Sequence, residues 1–165
     1  MNFDFSDDQK LLRDQARKFL TDKCGRSIVR TVLEDDSNYY SNDLWKSISE
    51  MGWTGTAIPE EYGGLATNYT SYGLIAREIE RIDSGFRSMM SVQSSLVMYP
   101  IFAFGTEEQK QKFLPGLARG NIIGCFGLTE ANAGSDPSGM TTKAEKISEG
   151  YKLNGEKSWI SNSPI

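Results

Sequence analysis

Histidine is absent from this chain of 165 residues. That removes Ser-His-Asp and Cys-His catalysis, and the usual zinc sites with them. Cysteine is scarce: Cys24 and Cys125 stand far apart, without CxxC spacing, so reduced thiols are the default and a disulfide is not expected. No basic stripe runs through the sequence. The 18 Lys and Arg are scattered among 22 Asp and Glu, a net charge of −4, which argues against a nucleic-acid partner. The longest apolar run, Leu96 to Phe104, is broken by Pro100 and falls short of the roughly 20 residues a bilayer span takes, so no membrane partner is expected. The opening Met1-Asn2-Phe3-Asp4-Phe5 is acidic, neither a secretory signal nor an Arg-rich transit peptide. There is no GxGxxG and no P-loop, so a nucleotide site of Rossmann or Walker type is not expected. Internal repeats and low-complexity tracts are absent too. Any chemistry must come from carboxylates, a borrowed cofactor or residues outside the chain.

What is present suffices for one domain or a little more. Ser6-Asp7-Asp8-Gln9 reads as a capping box, and Leu11, Leu12, Ala16, Phe19 and Leu20 then share a helical face. A second helix carries Ile28, Val29, Val32 and Leu33. Asn42 or Asp43 starts a third, with Leu44, Trp45, Ile48 and Met51 inside and Gly52 as its stop; Trp45 reads as core. Ala57 to Leu65 is a loop by its Pro and Gly content. Asn68 to Ile82 is helical, with Tyr72, Ile75, Ala76, Ile79 and Ile82 on one face, and Asp83-Ser84-Gly85 punctuates it. The next helix, Phe86 to Pro100, has a face of small hydroxyls. Tight packing or back-bonding to carbonyls explains it, and so does a polar pocket lined by the helix. Pro100 is predicted to kink its second half. Gly105 ends the run. Thr106-Glu107-Glu108-Gln109 is a second capping box, with Phe113, Leu114 and Leu117 buried and Gly120 closing the helix.

Beyond Asn121 the character changes. Ile122 to Leu128 reads as a strand, Thr141 to Ser148 alternates weakly, and Glu149-Gly150 is a turn. Tyr151 to Leu153, a turn at Asn154-Gly155 and Lys157 to Ser161 complete a run of short strands. The fold class is therefore α+β: an all-α helical domain over residues 1–120, then the first strands of a β-barrel or β-sheet domain over 121–165. The sequence stops at Ser163-Pro164-Ile165 without a closing element, so that domain is expected to be incomplete.

Two stretches carry the chemistry. Cys125 to Pro137 runs from apolar residues into Thr, Glu, Asn, Gly, Ser, Asp and Pro. Ser158-Trp159-Ile160-Ser161-Asn162 repeats the formula with a flat aromatic. Runs of this kind present the backbone N–H groups and hydroxyls that a flat heterocycle or a pyrophosphate needs. Thr129-Glu130, Gly134-Ser135-Asp136, Asn154-Gly155 and Lys157 to Asn162, in this order and spacing, resemble the flavin-binding signature of the acyl-CoA dehydrogenase family. Singly, Thr129 is an ordinary strand-end hydroxyl, Gly134-Ser135 a turn and Trp159 core; jointly they favour a flavin site.

The resemblance implies FAD as cofactor and α,β-dehydrogenation of an acyl-CoA thioester, with hydride passing to flavin N5. It implies that Phe126, Gly127, Leu128 and Thr129 line the flavin. It puts Gly134 and Ser135 where the flavin pyrophosphate meets the CoA arm, Trp159 and Ile160 beside the ring, and the Ser161 hydroxyl toward N5. Many relatives carry Thr at that last position; Ser loses the methyl that restricts its rotamer. From Tyr72 onward the chain is similar to the glutaryl-CoA dehydrogenase branch, whose substrate ends in a carboxylate and is then decarboxylated to crotonyl-CoA. Arg87, with Ser88 beside it, matches the carboxylate-binding position, and Ser135 also meets substrate; Glu80, seven residues earlier, is placed to orient Arg87. The Pro59-Glu60-Glu61-Tyr62-Gly63-Gly64 loop instead resembles straight-chain acyl-CoA dehydrogenases, which keeps an uncharged acyl-CoA open as substrate. A non-catalytic helical binding module of the same fold is the rival from another class. The family's catalytic glutamate belongs to a C-terminal helical domain, no residue here is named as catalytic, and the chain alone is expected not to turn over substrate. Electron-transfer flavoprotein as acceptor, a homotetramer, and a bacterial cytoplasm or a mitochondrial matrix complete what the resemblance implies.

Overall fold

The computed structural model describes residues 4–34 and 40–163, without the side chains of Arg26 and Leu33. The readings for Met1 to Phe3, Leu33, Pro164 and Ile165 lie outside the described residues. Helix α1 (Asp7–Lys23) begins at the expected capping box: the Gln9 N–H donates to Ser6 Oγ at 3.2 Å and the Ser6 N–H to Gln9 Oε1 at 3.0 Å. α2 (Arg26–Glu34) follows after Cys24, and α3 (Asn42–Glu50) after an N-cap at Ser41. α1 packs on α4 (Tyr69–Glu80), with Ala16 and Leu20 of α1 meeting a face that includes Ile75 and Ile79. Only that side of α1 is covered, so Leu11, expected inside, is 58% exposed. Across the α1–α4 contact the fully buried Glu78 carboxylate accepts from Arg17 Nε and Nη2, both at 3.0 Å, with Arg77 and Arg81 alongside. The Arg17 hydrogen bonds hold its pKa below the usual carboxylate value.

α3 buries Leu44, Trp45 and Ile48, and Trp45 Nε1 donates to the Gly120 carbonyl at 3.0 Å. Met51, expected inside, caps the helix and is 39% exposed, because the chain leaves the helix there through Gly52 at φ 75°. The Pro59 to Gly64 loop is a structural wedge. It winds a short 3-10 turn (Glu60–Tyr62), the buried Tyr62 donates its hydroxyl to the Glu107 carboxylate at 3.0 Å, and a side chain at Gly64 would collide with the Ile58 carbonyl.

The longest helical run is composite. α5 (Ser84–Ser91) passes into a π-helical segment (Val92–Met98) and then α6 (Tyr99–Phe104). Where the sequence predicts a kink at Pro100, the structure widens the helix just before it: the Tyr99 N–H reaches Ser94 O, five residues back. α7 (Glu107–Ala118) opens on the second capping box and buries Leu114, Leu117 and Ala118. These pack with Ile58, Tyr62 and Met98 into a second core beside the one under α1, α3 and α4. Phe113, expected inside, is 37% exposed and lies under the Lys112 ammonium instead.

After α7 the strands are fewer than expected. Ile122 to Leu128 is extended but pairs with no strand among the described residues, because the polar groups at its start bond to side chains instead. Lys157 to Ser161 is no strand either: Trp159 takes φ 59° and the chain turns. The sheet is one antiparallel hairpin, β1 (Lys143–Ile147) with β2 (Gly150–Asn154), in register from Lys143↔Asn154 to Ile147↔Gly150. Asn154-Gly155 makes no second hairpin; Gly155, at φ 154°, leads the chain straight on. The α+β class holds, with helices first and a two-stranded sheet after them.

Candidate functional site

Two runs lie side by side. The Ser158 N–H donates to the Thr129 carbonyl at 2.9 Å, which joins the run Phe126 to Thr129 to the loop that carries Trp159. Lys157 Nζ bonds Leu128 O at 3.0 Å and Glu130 Oε1 at 2.8 Å. The Glu130 carboxylate is buried. It also accepts from Thr141 N at 2.7 Å, Thr141 Oγ1 at 2.9 Å and Thr142 N at 2.9 Å. The Lys157 ammonium first, and then the Thr141 N–H, push its pKa far below the carboxylate range. A carboxylate so engaged cannot serve as a base. Its work is to hold three segments of chain together.

This framework leaves one edge open. Phe126 is 40% exposed and Gly127 is open, with only Lys157 Cγ near the place of a Cβ, at 3.5 Å. Leu128 and Thr129 are half-buried. Among the described residues, the main-chain N–H groups of Phe126, Gly127 and Thr129 donate to no protein acceptor. The Trp159 indole is 94% exposed, so it is not core. Ile160 is half-buried and Ser161 exposed. Gly134 and Ser135 stand exposed in the turn ahead of a short 3-10 turn (Pro137–Gly139), and nothing lies within 4 Å of a Cβ placed at Gly134. The structure thus joins the 126–129 and 158–161 runs directly. An extended edge with free N–H donors beside an uncovered indole suits a flat, hydrogen-bonding heterocycle.

The second cluster lies on α4 and α5. Arg87 Nε donates to Glu80 Oε2 at 2.6 Å and Nη1 to Ser91 Oγ at 3.1 Å, while Ser84 Oγ donates to Glu80 Oε1 at 2.8 Å. The Arg87 hydrogen bond, then the Ser84 one, hold the Glu80 carboxyl below its ordinary value. Two of the five guanidinium N–H donors are used this way, so the head is oriented with donors left over. Ser88 is half-buried beside it. Both readings of the hydroxyl-rich face hold. Ser94 back-bonds to Met90 O at 2.9 Å, and Ser94 and Ser95 also line a small cavity of about 120 Å³ with Tyr69, Tyr72 and Tyr99.

Comparison with known proteins gives these runs a setting. Residues 6–121 match the model for the acyl-CoA dehydrogenase N-terminal domain, and residues 125–165 that for the acyl-CoA dehydrogenase middle domain. The chain belongs to the acyl-CoA dehydrogenase family. It is 36% identical over 163 residues to the probable acyl-CoA dehydrogenase YngJ of Bacillus subtilis, a match covering 99% of this chain and 42% of that protein. It is similar to butyryl-CoA dehydrogenase from Megasphaera elsdenii, with TM-score 0.89, 36% identity, and 99% of this chain and 43% of that one covered. It is also similar to glutaryl-CoA dehydrogenase from Mycobacterium smegmatis in complex with FADH2, with TM-score 0.85, 40% identity, and 94% and 39% covered. The chain thus spans about two fifths of the length of these relatives.

In this acyl-CoA dehydrogenase chain the residues that sequence reasoning passed over are the ones that build the edge. Glu130 and Lys157 fasten its far end, and Gln93 and Asn162 its near end. Each had a faint signal. Glu130 is the one charge between Asn121 and Ser135, and Gln93 is an amide inside a helix of serines and apolar residues. None of their partners is local.

Proposed function

We propose that the whole protein is an FAD-dependent acyl-CoA dehydrogenase whose preferred thioester ends in a carboxylate, with glutaryl-CoA as substrate. The observation that carries the substrate is Arg87, oriented by Glu80 and Ser91 with guanidinium donors to spare. Such a head takes a terminal carboxylate by two parallel charge-assisted hydrogen bonds, with Ser88 beside it. The open edge fits the cofactor: the N–H groups of Phe126, Gly127 and Thr129 have no protein acceptor among the described residues, and the indole of Trp159 is bare. Phe126, Gly127, Leu128 and Thr129 would hold the pyrimidine side of the ring, Trp159 and Ile160 would pack beside it, and the Ser161 hydroxyl would reach its N5. Gly134 and Ser135 would receive the pyrophosphate and the CoA arm. FAD, when bound, supplies the hydride acceptor. The chain's own residues orient the ring and the acyl terminus, and Glu130, locked as an anion, takes no proton.

The domain boundary near Asn121, release of electrons to an electron-transferring flavoprotein, a homotetramer, decarboxylation after oxidation, and a cytoplasmic or mitochondrial-matrix setting rest on the family alone. So does the inactivity of these 165 residues by themselves. The test uses the full-length protein. Charge-assisted bonds contribute about 1.5–3 kcal/mol each, so Arg87→Ala should cut kcat/KM for glutaryl-CoA by about 10- to 100-fold for each bond lost. Activity on butyryl-CoA should change little. Equal losses on both would refute the carboxylate role and favour a straight-chain, uncharged substrate.

A further inference from the structure

One peptide unit joins the helical layer to both runs of the proposed flavin edge. The Gly124 N–H donates to Gln93 Oε1 at 2.8 Å, and the Gly124 carbonyl accepts from Asn162 Nδ2 at 3.0 Å. Gln93 sits in the π-helical segment at 0% exposure, and its Nε2 also donates to Leu117 O at 2.9 Å and Ile122 O at 2.7 Å. Asn162 takes φ 68°, a conformation Asn tolerates better than most residues, and its amide further reaches Met89 O at 3.4 Å. A side chain at Gly124 would run into Val97 Cγ1 at 2.6 Å, so the peptide is also pressed against the helix. Two carboxamides from distant segments therefore grip one peptide from both sides.

The grip has a direction. Gly124 precedes Phe126 by two residues and Thr129 by five, and Asn162 directly follows Ser161. A slip at Gly124 would move the free N–H groups of one run and the indole of the other together. We infer that Gln93 and Asn162 are positioning residues that set the register of the cofactor edge against the helical layer. This rests on the flavin reading above.

The experiment uses the full-length protein and two variants. Gln93→Leu keeps bulk and removes every polar contact; Asn162→Asp, at a half-buried site, removes only the donor. Amide exchange across residues 122–130 is measured without cofactor, and FAD affinity by flavin fluorescence. Both variants should speed exchange there at least tenfold and weaken FAD at least tenfold, while Ile79→Val, in the core under α1 and α4, should lower stability and leave FAD affinity within twofold. Unchanged exchange in both variants overturns the inference. Faster exchange with FAD affinity within twofold of the unvaried protein also overturns it, since the grip would then serve the fold alone. An unvaried protein that takes up no FAD overturns the flavin reading itself, and this inference with it. Should Gln93→Leu fail to fold, Asn162→Asp carries the test.

Discussion

Replacing Gly124 by alanine tests the packing at this junction with one methyl group. Its Cβ would lie 2.6 Å from Val97 Cγ1, 2.9 Å from Cγ2 and 3.1 Å from Cβ. Carbon atoms settle at about 3.5–4.0 Å, so the shortfall is close to 1 Å. The backbone at Gly124 is not left-handed, so alanine meets no conformational objection there. Stiffening of the unfolded chain favours the variant by about 0.4–1 kcal/mol. Overpacking costs about 1–3 kcal/mol, and the overlap wins. A net loss of about 1–2 kcal/mol lowers Tm by roughly 2–8 °C for a chain of this size. Val97→Ala removes the colliding methyls and, alone, costs about 1 kcal/mol for the gap it leaves. In the double variant the new methyl enters that gap. The two changes should then couple by about 1 kcal/mol or more, whereas sites out of contact add within about 0.3–0.5 kcal/mol. Thermal unfolding followed by circular dichroism on the four proteins measures this. Strict additivity would refute the contact and the close approach of helix and extended run.

Three further outcomes are expected. Glu78 is more acidic folded than its ordinary value of 4.5, so it stabilises the fold above that pH and loses this contribution as pH falls through 4.5 toward the folded value. Glu78→Gln should therefore lower Tm near neutrality and flatten its decline in acid, and an unaltered acid slope would rule out the linkage. Trp159→Ala should leave stability within about 0.5 kcal/mol because the indole packs on no protein surface, yet weaken FAD by about 2- to 10-fold in the full-length protein, as loss of an aromatic partner does; a large stability loss instead would make the indole a packing group. Gly120→Ala forces φ 70° on an alanine, at about 1–2 kcal/mol, and drives its methyl onto Ser49 Oγ. Its Tm should fall, and an unchanged Tm would contradict the geometry.

Local chemistry was legible in the sequence. The capping boxes at Ser6 and Thr106 and the stops at Gly52 and Gly120 each depend on residues within a turn of one another, and all four are found. The limits of burial were not legible. Leu11, Met51 and Phe113 fit the helical period, but periodicity reports a face and not how much of it a neighbour covers. Ile122 to Leu128 and Lys157 to Ser161 look like strands because they are extended and apolar. A strand also needs a partner, and here carboxamides and an ammonium take the partner's place. Arg87 and Glu80 were legible as a pair because one helical surface carries both. Gln93, Glu130 and Asn162 bond to residues 11 to 73 positions away, a separation that no local pattern encodes.

The π-helical segment Val92–Met98 makes the chain's length count at that spot. A widened turn stores one residue more than α pitch would use. Deleting any single residue there would let the run relax into a continuous α-helix and turn everything after it by about 100° about the axis. Ile101 and Phe102 would rotate off the core they share with Leu114. Homologous chains that differ by one residue in this segment should therefore differ in helix pitch and keep the same buried face, so that the gap in their alignment is a mark of geometry and not of a loop.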